Sequence, residues 1–316
     1  MKTKPTSPAL ARARRATPAT NDKRPTSRTL EPRYSPAPRF TWPNGNRCAA
    51  MLCFDVDGET TALSEDPALA QRRTLMSQCE YGPRIGVPRL LGLLNHLQVP
   101  ATFFVPGYIA ERHPRLVRAM VEAGHEIGLH GYLHEKLVHL SENEEESLLV
   151  RCIELLTSIS GARPVGFRAP WFETNPWTAG LLHKHGLRYA ASEMGDDVPY
   201  QHPNGLVEIP GQWMLEDWEQ FAFNADPPWG SIPQTCQNVF DLWWAEFEAI
   251  HDFGCCFVLT LHPWLSGRPS RVRLLERLIN RMQEKERVWF ARGDEIARYF
   301  AENSAVRREI DFDFHL

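Results

Sequence analysis

Four short stretches of this chain set chemistry-bearing residues where apolar runs stop. The first is Phe54-Asp55-Val56-Asp57-Gly58-Glu59. Residues two apart on an extended segment share a face, so Asp55 and Asp57 point into one pocket while Val56 faces the core. Carboxylates that close repel, and one pKa rises unless a cation or a metal lies between them. Taken alone, the pair also fits an acidic surface turn. The second stretch, His130-Gly131-Tyr132-Leu133-His134, holds two imidazoles four residues apart. That spacing brings both rings to one side if the segment coils into a helical turn. Two His and one carboxylate with open positions suit Zn²⁺ or another first-row divalent ion. With twelve His in the chain, the spacing alone is weak, and its place after an apolar run strengthens it. The chain has no HExxH, so a zincin protease is not indicated. The third, Phe167-Arg168-Ala169-Pro170-Trp171, offers a guanidinium able to orient a carboxylate bidentately, although a snorkelling surface Arg would read the same. The fourth, Val258-Leu259-Thr260-Leu261-His262-Pro263-Trp264, ends a strand in a single His, a natural general acid beside a metal pocket. Trp171 and Trp264 are candidates to floor a pocket for a sugar or a flat ring, though core packing is the usual job of Trp.

These residues need a scaffold that presents strand ends together. Residues 48–54 read as a buried strand. Residues 86–97 carry Val87, Leu90, Leu91, Leu94 and Leu97 at helical spacing, and 100–105 follow as an apolar, aromatic strand. The alternation continues with a helix at 109–123, a strand at 126–129, and a helix opened by Ser141 with Glu144 as a capping box. Strands are expected at 165–168, 188–191, 206–209 and 256–261, with helices at 176–185 and 234–253. A helix, strand and helix close the chain over 268–301. Seven or eight strands alternating with helices predict an α/β fold, a parallel barrel closed or nearly closed, with an open doubly wound sheet as the alternative. In such a barrel reactive groups sit at the C-terminal strand ends, where all four stretches fall.

Composition narrows the function classes. The chain has 316 residues, 43% of them hydrophobic, enough for a sizeable core. No apolar run approaches the roughly 20 residues of a membrane span. Seven Cys without a CxxC pair fit reduced thiols and a cytoplasmic protein. Residues 1–40 hold seven Pro and ten Lys or Arg against Asp22 and Glu31. That predicts a disordered basic tail, with one catalytic domain over 41–316. The tail contributes +8 to a total of −4, so the remainder carries about −12, which argues against nucleic acid as the main ligand.

Taken in order, FDVDGE, HGYLH, FRAPW and LTLHPW resemble the successive motifs of the polysaccharide deacetylase family, the NodB-homology hydrolases of carbohydrate esterase family 4. The resemblance spans roughly residues 48–300 and implies a distorted (β/α) barrel. It implies Asp55 as general base, Asp57, His130 and His134 as ligands of a divalent metal (Zn, with Co or Mn as alternatives), Arg168 as the group orienting Asp55, and His262 as general acid. The segments at 81–89 and 194–200 resemble one branch, which holds peptidoglycan-deacetylase-like proteins together with allantoinase-like and cyclic-imide hydrolases. That branch implies Arg84 as a substrate-binding residue and suggests a homotetramer, and some of its members work without metal. Relatives usually carry an Asp after the Tyr in the position of Tyr189, to support the catalytic Arg; this chain has Ala190 there. The expected function is hydrolysis of a C–N bond in an acetamido sugar or polysaccharide. The rivals are a small cyclic amide as substrate, favoured by the absence of a secretion signal, and a non-catalytic binding barrel. No nucleic acid or membrane partner is expected.

Overall fold

The computed structural model describes residues 40–230 and 232–304. The predicted tail over 1–40 lies outside them apart from Phe40, whose ring packs on Trp42 and Phe300 at 5.0 and 5.2 Å between centroids.

The strands run, in chain order, β1 Cys48–Asp55, β2 Thr102–Val105, β3 Glu126–Leu129, β4 Gly166–Phe167, β5 Tyr189–Ala190, β6 Tyr200–Gln201, β7 Val207–Glu208, β8 Phe223–Ala225, β9 Pro228–Gly230, β10 Cys256–Leu261 and β11 Val288–Phe290. Nine of them form one curled sheet in the order β10-β1-β2-β3-β4-β5-β7-β6, with β11 also on β1; β8 and β9 make a separate hairpin. All pairings in the large sheet are parallel except β6 on β7. The path ends at β10 and β6, which share no ladder. The gap is crossed by an isolated bridge between Glu216 and Thr260 and by the Cys256 N–H donating to the Asp197 carbonyl at 2.9 Å. The closed-or-nearly-closed barrel read from the alternation is thus a curled sheet with one thin seam.

Every residue of β1 is buried. A strand of a parallel sheet is covered on both faces, so it reads as a continuous apolar run instead of alternating. Burying side chains such as Met51, Leu52 and Phe54 stabilises the fold by roughly 1.5–3 kcal/mol each. The helices cover the outer face. Ser141 caps the helix Glu142–Ser160, its side chain accepting from the Glu144 N–H while the Glu144 carboxylate returns to the Ser141 N–H at 2.8 Å. The single helix expected over 109–123 is two, Gly107–Arg112 and Pro114–Glu122. Pro114 cannot donate a helical bond and pushes His113 out of the helical region, to φ −128° and ψ 51°, so the helix restarts with Pro in its first turn.

The longest of the helical stretches that the sequence did not predict precedes residue 87. Arg73–Tyr81 runs through a π turn, Gly82–Gly86, into Val87–Leu97. Among Arg73–Tyr81 only Leu75 and Cys79 are buried, too few apolar positions to show a period.

Candidate active site

The strand ends converge as the alternation predicts. Asp55 closes β1, and Asp57 follows after the Val56 N–H donates to the Phe104 carbonyl at 2.9 Å, continuing the pairing with β2 by one residue. His130 and His134 follow β3, Arg168 follows β4 and His262 follows β10. All six are at most 6% exposed.

Asp57, His130 and His134 form a compact set whose donor atoms lie within 4.8 Å of one another. His130 Nε2 is 3.3 Å from Asp57 Oδ1, and His134 Nε2 is 3.6 Å from Asp57 Oδ2. Because the Arg168 carbonyl can only accept, His130 Nδ1, 2.9 Å away, must be the N–H, which leaves the Nε2 lone pair facing the cluster. Asp57 Oδ1 and His130 Nε2 have no hydrogen-bond partner in the protein although both are buried. An orphaned carboxylate oxygen and an orphaned imidazole nitrogen, with a second imidazole 3.6 Å from the same carboxylate, are what a divalent cation needs, so the residues fit one. Burial would raise the Asp57 carboxyl, but His134, His130 and His262 outweigh it and hold it well below the usual range. Burial, countered by Asp57 and reinforced by the neighbouring imidazoles, brings His134 down to about 4, the neutral form a metal takes.

The two His meet by a route other than the helical turn expected from their spacing. Residues 131–136 form no helix; Gly131 and His134 both take positive φ, 65° and 61°, and fold the loop back so that the rings sit 4.9 Å apart. The Glu135 carboxylate fastens the loop by accepting from the Tyr132 and Leu133 N–H groups at 3.0 and 2.7 Å.

Beside the candidate metal ligands, Arg168 Nη1 contacts Asp55 Oδ1 at 3.2 Å. The guanidinium is held by the Thr260 hydroxyl at 2.9 Å, the Ala191 carbonyl at 2.8 Å and the face of Phe104. Thr260 and a backbone carbonyl therefore do what an Asp at position 190 would have done. Thr260 sits two residues before His262, on the same face of β10, and that period-two offset was the signal for it. At the end of β10, His262 Nδ1 donates to Asp217 Oδ1 at 2.7 Å, and its backbone N–H donates to both Asp217 oxygens at 2.9 Å. The Ser266 hydroxyl donates to the same carboxylate. Burial disfavours the His262 imidazolium, but Asp217, then Asp57 and Glu216, lift its pKa to about 10. Nothing in the sequence pattern singled out Asp217.

A cavity of about 140 Å³ opens over these groups, walled by Trp171, Phe172, Trp213 and Trp218. Trp171 and Phe172 are consecutive non-glycine residues at φ 61° and 58°, a backbone costing about 1 kcal/mol or more at each, and this bend sets the Trp171 ring 5.4 Å from His134. The other two expected substrate contacts lie elsewhere. Arg84 is exposed and pairs with Glu80 at 3.6 Å. Trp264 is buried behind Trp218, at 5.7 Å between centroids. The segment at 81–89 serves the site from beneath: a Cβ on Gly86 would stand 2.1 Å from the Pro263 carbonyl, and Arg89 donates to the Gly267 carbonyl at 2.8 Å. This segment makes a close backbone contact with Pro263, the residue after His262, while Arg84 lies outside the cavity lining. A larger cavity of about 380 Å³ between residues 194–197, 210–212 and β10 contains none of the candidate residues.

A family profile for polysaccharide deacetylases matches residues 70–190, which include His130, His134 and Arg168. The chain is 30% identical over 258 residues to a peptidoglycan deacetylase of Helicobacter pylori, covering 72% of this chain and 88% of that one. This chain belongs to the polysaccharide deacetylase family. The crystal structure of a candidate polysaccharide deacetylase from Mycobacterium smegmatis shares 43% identity, covers 87% of this chain and 99% of its own, and superposes with a TM-score of 0.82. The allantoinase PuuE shares 27% identity over 84% of this chain and 94% of its own, with a TM-score of 0.74. As a member of the family, this deacetylase-like protein is a hydrolase of C–N bonds other than peptide bonds. Among its described residues no helix is long and apolar enough to cross a membrane, and no disulfide joins the cysteines.

Proposed function

We propose that this protein hydrolyses the amide of an acetamido sugar with the help of a divalent metal, zinc being the expected ion and cobalt or manganese alternatives. The observation that carries this reading is the orphaned pair Asp57 Oδ1 and His130 Nε2, set between a carboxylate fixed by Arg168 and an imidazole fixed by Asp217. Asp57, His130 and His134 would hold the ion, which when bound supplies a polarised carbonyl and a more acidic water. Asp55, held by Arg168, takes the proton of the attacking water. His262, charged and aimed by Asp217, gives a proton to the leaving nitrogen; such acid–base assistance contributes about 10² to 10⁴ in rate. Trp171 and Trp218 exclude solvent and offer flat faces to a ring. A cytoplasmic location is part of the proposal, supported by seven cysteines without a disulfide.

A second reading, hydrolysis of a small cyclic amide, is favoured by the depth of the site, whose polar groups are nearly all covered, and by the similarity to an allantoinase. One screen separates the two: metal-supplemented protein is offered N-acetylated chitooligosaccharides, allantoin and succinimide. Acetate release supports the first reading and ring opening the second. Turnover of none of them overturns both.

A further inference from the structure

The acid–base pair and the candidate metal ligands leave two ionisable side chains of the cavity without a task, the exposed Glu219 and the buried Glu216. Glu216 lines the cavity, is 5% exposed, and its buried Oε2 has no partner in the protein. Its place is fixed from both sides. Glu216 bridges Thr260, which holds Arg168, and the next residue, Asp217, holds His262. The carboxyl lines the same cavity as Asp55 and His262 and interacts electrostatically with His262, Asp55, Asp217 and Arg168. Buried polar atoms are ordinarily paired, and one left unpaired in a cavity wall is set for a ligand.

We propose that Glu216 is a specificity-determining residue that hydrogen-bonds the edge of a cyclic amide, accepting from its ring N–H and donating to the carbonyl beside it. Burial, aided by Asp55 and Asp217 against His262 and Arg168, raises the Glu216 carboxyl to about 8, so near neutral pH it carries both a donor and an acceptor. A ring forces its amide to be cis, which puts N–H and C=O on one edge, where a carboxylic acid meets both with two parallel hydrogen bonds. An open-chain acetamido group is trans, since the cis form costs about 2.5 kcal/mol or more, and it presents the two on opposite edges. Within the cyclic-amide reading, Glu216 therefore selects imides and ureides, whose ring amide is cis. The inference rests on the cyclic-amide reading above and deepens it.

The test uses the full chain and succinimide. Binding to metal-free protein is followed by ligand-observed NMR, and kcat/KM for ring opening is measured on metal-loaded protein, for wild type, Glu216→Gln and Glu216→Ala. Gln keeps one donor and one acceptor, so it should hold both readouts within about threefold; Ala should weaken both by about 10- to 100-fold. Thermal melts confirm that the Ala variant folds, and if it does not, Glu216→Gln against Glu216→Leu makes the same comparison. Ala and Gln variants both within twofold of wild type would overturn the role of Glu216 and leave the hydrolase reading standing. So would acetate release from chitooligosaccharides by protein that neither binds nor opens succinimide. If loaded protein turns over nothing, the hydrolase reading falls, and Glu216-dependent binding of succinimide to metal-free protein still decides for or against Glu216.

Discussion

Asp217→Asn isolates the acid side of the site. Burial works against the His262 imidazolium, yet its pKa stands at about 10 against an ordinary 6.5, with Asp217 the first of the groups raising it. That gap corresponds to roughly 5 kcal/mol in favour of the protonated ring. A hydrogen bond to a charged partner contributes about 1.5–3 kcal/mol, so Asn, which keeps the shape and one acceptor but loses the charge, should bring the titration down by about one to two units, to between about 8 and 9. Because the folded value is raised, the stability the pair contributes is complete below pH 6.5 and is lost as pH rises through about 10. The variant should lose it between about pH 8 and 9. The assay is an NMR titration of His262 in metal-free protein, joined to kcat/KM against pH for the loaded enzyme, whose value at pH 10 should fall about 10-fold. A His262 midpoint that stays near 10, or activity within twofold of wild type at pH 10, would refute the assignment of Asp217.

Three further outcomes follow from the geometry. Purified wild-type protein should carry about one divalent ion per chain by elemental analysis, and Asp57→Ala should carry none; full activity in metal-free protein would sink the metal-assisted reading. Gly86→Ala drives a Cβ to within 2.1 Å of the Pro263 carbonyl and should cost about 2 kcal/mol or more in denaturant melts while leaving metal content intact. Glu126 is pushed to about 7, first by burial and then by Asp294, so ionising it opposes folding as pH rises from 4.5 to about 7. Glu126→Gln, which still accepts from Thr102 and the Asp294 N–H, should remove a loss on the order of 3 kcal/mol across that window, and an unchanged pH dependence of stability would count against the assignment.

The sequence exposed what is periodic. The strand at Cys48–Asp55 is a continuous apolar run because a parallel sheet covers both its faces, and its end delivered Asp55 and Asp57. The ends of β3, β4 and β10 delivered His130, Arg168 and His262 for the same reason. What stayed hidden has no period. The loop carrying His134 closes through two positive-φ residues and Glu135, which no spacing rule encodes. Asp217 and Glu216 enter from an irregular stretch after the short helical turn Trp213–Leu215, and only tertiary contact shows what they hold. The segment at 81–89 was legible as special, but its close backbone contact with Pro263 was not, and Arg84 lies outside the cavity lining. A side chain advertises chemistry in a sequence, whereas a glycine whose worth is a missing methyl does not.

The thin seam between β10 and β6 separates the machinery into halves that differ in rigidity. The candidate metal ligands follow β1 and β3, deep within continuous ladders, while Glu216, Asp217 and Trp218 hang on one bridge and a few single hydrogen bonds. Local opening follows the path that breaks least hydrogen bonding and exposes least apolar area. The amide protons of Asp217 and Cys256 should therefore exchange with solvent well before those of Met51 or Leu52. Such opening would reach the cavity through the wall that carries Glu216 and Trp218 and leave the laddered strand ends, β10 with His262 included, in place.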